Sequence, residues 1–156
     1  MITATRALIA AGALLVLGVV NASIAGKEIV IRDGEVVFLD LGPRDPRSMM
    51  QGDYMALRFR LADQLGHEGK EGEHRVARIV LDDKRVATLA PPGAASTLPL
   101  RYRVRNGAAW IGTNAFFFQE GSEHRYARAR YGEFRIDRES GEAVLVGLRD
   151  AALKPL

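Results

Sequence analysis

Gly52-Asp53-Tyr54-Met55-Ala56-Leu57-Arg58-Phe59-Arg60-Leu61 decides the fold class. Gly52-Asp53 closes a turn that opens at Asp45-Pro46, and the residues after it alternate. Met55, Leu57, Phe59 and Leu61 point one way; Tyr54, Ala56, Arg58 and Arg60 point the other. Period two is the pattern of a strand with one face on a core and one toward water. The stretch predicts a strand over residues 54–61.

Working outward, the same pattern recurs. Residues 35–41 are rich in β-branched and aromatic side chains and predict a first strand, set off from what precedes it by the turn signal Asp33-Gly34. Residues 62–73 carry Gly66, Gly69 and Gly72 among charges and predict a polar loop. Residues 74–81 and 85–89 predict two strands joined through Asp82-Asp83-Lys84. Leu100, Tyr102 and Val104 alternate with Arg101, Arg103 and Arg105, and Asn106-Gly107 is a strong hairpin signal. The return strand runs from 108 into 112, and residues 114–119 continue extended. Residues 122–130 predict one helix, with Ser122 as N-cap and Gly132 as terminator. A last hairpin pairs 133–137 with 142–148, with Phe134 and Ile136 facing Val144, Val146 and Leu148. These elements predict a mainly β chain, a small antiparallel barrel or sandwich with one short helix.

Residues 7–26 hold no charge and are dense in Ala, Leu and Val. A helix of that length spans roughly 30 Å, the thickness of a hydrocarbon core. Two readings stand: a membrane anchor, favoured by length, or a signal peptide with a small-x-small site at Ser23-Ile24-Ala25. Either places the bulk of the chain outside the cytoplasm. The expected organisation is an anchor or uncleaved signal over 1–26, a juxtamembrane connector over 27–34, and one extracytoplasmic β domain over 35–156. The expected setting is a single-pass inner-membrane protein with its C-terminal domain in the periplasm.

The net charge of +3 combines 22 basic with 19 acidic residues, a mixed surface that gives no nucleic-acid footprint. The chain has no cysteine, which excludes a disulfide framework, a zinc ribbon and a thiol nucleophile. His67, His74 and His124 are scattered without metal-ligand spacing, so neither a metal nor a cofactor is expected.

Asp45-Pro46-Arg47 followed by Gly52-Asp53-Tyr54, Leu57 and Phe59 resembles the signature of the GDYXXLXY family, with Phe59 where the motif has tyrosine. The aromatic strand before Glu120-Gly121, the stretch Ala127-Arg128-Ala129-Arg130-Tyr131-Gly132-Glu133, and the segment from Gly141-Glu142-Ala143 to Leu148 are also similar to that family. The resemblance implies an inner-membrane-anchored bacterial protein with an extracytoplasmic domain, often encoded beside polytopic membrane proteins. It implies no activity.

Candidate chemistry centres on the motif. Asp53 can fix its turn through Arg47 or backbone donors, or act as a ligand for an amine or a metal. Tyr54 is a recognition aromatic or a strand former. Asp53, Tyr54, Arg47 and Arg58 are the expected binding residues. No catalytic set is evident, and an enzyme is the lesser expectation. Ser48 in Ser48-Met49-Met50-Gln51-Gly52-Asp53 is faintly similar to the serine box of type I signal peptidases, with Lys70 and Lys84 as candidate bases, but the proline after Ser-Met is missing. An envelope glycan or anion site at Tyr54, Asp53 and residues 101–105 is a third reading. Arg125, Arg128 and Arg130 with Glu133 form a possible anion set or an ion-paired helix face. Of Phe116, Phe117 and Phe118, at least one must face away from the others. The favoured expectation is a domain that binds a polytopic protein of the same membrane.

Overall fold

The computed structural model describes residues 2–42, 50–51, 54–66 and 69–156. One long helix, α1 (Ile2–Asp33), leads into a mainly β domain. Over residues 7–26 α1 carries no charge on any side, its most apolar window has a mean hydropathy of 2.3, and residues 4–29 are exposed. It is long and apolar enough to cross a membrane. Within the expected connector, α1 continues through residues 27–33, buries Val30, and packs against the domain. Gly34 ends it. Its N–H donates to Val30 O at 2.9 Å, and a Cβ there would lie 2.4 Å from that same oxygen, so no other residue fits this exit.

Three antiparallel sheets follow, forming a partly closed barrel. The first has the order β1 (Glu35–Asp40), β9 (Tyr131–Ile136), β10 (Ala143–Arg149). The second has the order β2 (Met50–Gln51), β3 (Tyr54–Ala56), β8 (Ala115–Phe117). The third has the order β5 (Ala87–Leu89), β4 (His74–Leu81), β6 (Leu98–Arg105), β7 (Ala108–Trp110). Isolated bridges join them, Phe38 to Val86 and Leu41 to Phe59. A further tie crosses from the β9–β10 turn to β6, where Arg101 N–H donates to Gly141 O at 2.7 Å. Gly141 has φ 70°, and a Cβ would meet Pro99 and Arg101 backbone atoms at 3.1 Å, so the crossing requires glycine twice over.

The core gathers Val37 and Leu39 of β1, Met55, Leu57, Phe59 and Leu61 of the motif segment, Ile79, Leu100, Phe134 and Ile136. The alternation over 55–61 therefore holds in burial, but not as one strand. β3 stops at Ala56, and α2 (Arg60–Gln64) begins just after Phe59. Leu61 is buried and Leu65 packs on the core, the four-residue spacing of a helix face.

Other boundaries shift for physical reasons. The helix expected over 122–130 is a single turn, α3 (Glu123–Tyr126), and Ser122 makes no side-chain cap bond. It stops because Arg130 joins the sheet: its carbonyl accepts from Leu41 N–H at 2.9 Å, and its own N–H donates to Arg149 O at 2.8 Å. Gly132 lies inside β9 and terminates nothing. In β10 a register shift between Leu145 and Gly147 changes the inward set to Ala143, Leu145 and Leu148 and leaves Val146 exposed. The hairpin at Asn106-Gly107 forms as expected, with φ of 50° and 68°.

Candidate functional site

Asp45, Pro46, Arg47, Ser48, Gly52 and Asp53 lie outside the described residues, as does His67. The described part of the motif divides between core and surface. Leu57 and Phe59 are buried; Leu57 N–H donates to Asn114 O at 2.6 Å, and the Phe59 ring meets Phe134 edge-on at 5.2 Å. Tyr54 sits half-buried on β3, its ring 5.8 Å from Phe117. Arg58 is exposed and pairs with Asp63 at 2.7 Å, while its carbonyl accepts from Gly42 N–H at 2.8 Å.

The motif segment walls one cleft. Leu57, Phe59 and Ile111 face a space of about 390 Å³, and Arg58, Asp63, Asn106 and Thr113 contribute polar groups to it. Its far wall is the β6–β7 hairpin, where the Arg105 guanidinium lies 4.6 Å over the Trp110 ring. That stacked pair holds the indole in place together with a bond from Trp110 Nε1 to Gly112 O at 3.1 Å.

Trp110 also lines a second cleft, of about 320 Å³, with Lys27, His74, Arg101, Arg103 and Glu142. The strand register explains its composition. His74 lies opposite Arg103, and Arg103 opposite Trp110, so the three stand in a row across β4, β6 and β7. Arg101 is two residues along the same face of β6. Lys27 reaches in from α1 and forms an ion pair with Glu142. No sequence signal could assemble this group, because its members come from five separate segments.

The remaining candidates are dispersed. Glu133, the one buried charged residue among the described ones, bonds Arg149 at 2.6 Å and not Arg125, Arg128 or Arg130. Arg130 meets Asp40 at 3.5 Å, and Arg125 lies over Tyr126. Phe116 and Phe118 pack on Tyr126 while Phe117 is 75% exposed, so the triple does split between faces. Lys70 and Lys84 are exposed in turns. No group of His and carboxylates suited to a metal occurs among the described residues.

Fold and site together define a class: a mainly β domain carried on one helix whose length and composition suit a single-pass anchor. The model of the GDYXXLXY proteins matches residues 16–148, and the chain belongs to that family. No curated protein and no solved structure matches it.

Proposed function

We propose that the chain is a non-catalytic binding domain, anchored by α1 in the inner membrane and facing the periplasm, whose partner is a polytopic protein of the same membrane. The observation that carries this reading is the continuous helix through residue 33, docked on β9 and β10. A domain on a loose tether samples ligands arriving from solution. A domain fixed to its anchor keeps one face toward its neighbours in the bilayer. The motif-side cleft suits an extended loop of such a neighbour, with an apolar floor for side chains and Arg58, Asp63 and Asn106 for its backbone.

The test is in-cell photo-crosslinking from Ala108, an exposed residue that lines this cleft. The expected result is one membrane-embedded protein captured from Ala108 and not from Glu139, in the β9–β10 turn. Absence of any membrane protein above background at Ala108 would sink the proposal. An alkaline-phosphatase fusion after residue 156 tests the side: activity is expected, and its absence would place the domain in the cytoplasm.

A further inference from the structure

We propose that the cleft beside Lys27 binds the phosphate of an anionic phospholipid in the leaflet on which the domain rests. The inference rests on the anchor reading, and it adds a ligand that reading does not contain.

Position comes first. Lys27 is the first charged residue after the uncharged run of residues 7–26, which by length fills the hydrocarbon core. Its ammonium therefore lies at headgroup level. Because Lys27 lines the cleft and pairs with Glu142, and because Val30 one turn later is buried against the domain, the cleft lies at that level too.

Charge comes second. Among the described residues Glu142 is the single acid lining the cleft, and it is engaged by Lys27. Neither Arg101 nor Arg103 meets a carboxylate within 4 Å among the described residues. Two guanidinium groups rooted about 7 Å apart on one strand face can grip the free oxygens of a phosphodiester from two directions. His74 adds a ring donor beside Arg103.

Apolar surface comes third. Val76, opposite Arg101 in the ladder, is a valine exposed at 57% among cations. Trp110 presents an indole in the same wall. Basic, aromatic and aliphatic groups side by side match the boundary between headgroups and acyl chains. The cleft volume is at the small end for ligand sites, which suits a headgroup whose acyl chains remain in the bilayer.

The chain carries a single tryptophan, so its fluorescence reports on Trp110 alone, and the Arg101/Arg103 comparison assigns the signal to this cleft, which those two arginines line. The experiment places the full chain in phosphatidylcholine nanodiscs containing a low, equal fraction of either brominated phosphatidylglycerol or brominated phosphatidylcholine. Trp110 is expected to be quenched far more by the anionic lipid, and the preference is expected to fall roughly thirtyfold in Arg101→Gln/Arg103→Gln, the factor for two arginines at an anionic surface. Equal quenching by the two lipids in the wild type overturns the proposal, and this comparison needs no variant to fold. Relief of quenching by inorganic phosphate at similar concentration also overturns it, by assigning the site to a free anion. Failure to enter neutral nanodiscs would instead overturn the anchor, a result distinct from either.

Discussion

Lys27 and Glu142, 115 positions apart in the chain, form an ion pair where α1 leaves its apolar run and meets the start of β10. Both side chains keep solvent contact, at 51% and 32% exposure, so the pair contributes orientation more than stability. A double-mutant cycle with Lys27→Met and Glu142→Gln is expected to give a coupling of about 0.5 kcal/mol, vanishing near ~1 M salt. Hydrogen exchange over residues 27–33 should accelerate in both single variants. A coupling above about 2 kcal/mol would mean that the pair is far better shielded from water than it is here.

Phe59 and Gly132 are fitted to each other. A Cβ on Gly132 would lie 2.8 Å from a Phe59 ring carbon and 3.1 Å from one of Phe134. Gly132→Ala is expected to cost about 1–3 kcal/mol by overpacking, and Phe59→Ala about 3–5 kcal/mol by cavity formation. The pair should be non-additive: Phe59→Leu is expected to recover part of the Gly132→Ala loss in chemical denaturation. Strict additivity would show that the two residues do not share this space.

Acid should weaken the β9–β10 turn. The Asp137 carboxylate accepts from the Ser140 N–H at 2.7 Å, from the Ser140 hydroxyl at 2.7 Å and from the Glu139 N–H at 3.2 Å, and these bonds hold its pKa below the ordinary value. Asp150 is lowered in the same way, first by the Lys154 N–H and then by the Ala152 N–H. A depressed folded pKa contributes stability that is complete above the unfolded value near ~4 and is lost as pH falls through the folded one. Melting temperature should therefore drop below about pH 4, and Asp137→Asn should flatten that drop. An unchanged acid limb in the variant would count against the assignment.

The aromatic triple should separate by face. Phe117→Ser is expected to change stability by less than about 0.5 kcal/mol, because the ring is already in solvent. Phe116→Ala should cost about 2 kcal/mol, because that ring packs edge-on against Tyr126 at 5.1 Å. Urea melts of the two variants decide it.

What the sequence revealed depended on whether the information was local. β4 has the bounds 74–81 expected from the sequence, and the Asn106-Gly107 turn follows from two residues able to adopt positive φ. The inward set Met55, Leu57, Phe59 and Leu61 was also legible, yet Leu61 fits a strand pattern and a helix pattern equally, so α2 was not. In β10 the cue was Gly147, since a glycine inside a strand commonly marks a bulge. The family signature was visible in Tyr54, Leu57 and Phe59, and the core role of the last two followed from the same alternation. The cleft at Lys27 was beyond reach, because it depends on how α1 meets residues more than forty positions away, as His74 and Glu142 show.

The uninterrupted passage of α1 into the domain has a mechanical consequence. Each helical residue turns the chain by about 100° and advances it by about 1.5 Å. With no swivel between residues 26 and 34, a twist of α1 about its own axis becomes a rotation of the whole β domain about the same axis. Removing one residue from this stretch would re-aim the domain by more than a quarter turn while leaving its core untouched. If α1 spans a membrane as its length and composition allow, its phase, as much as the chemistry of any cleft, sets which face of the domain is turned toward a neighbour there.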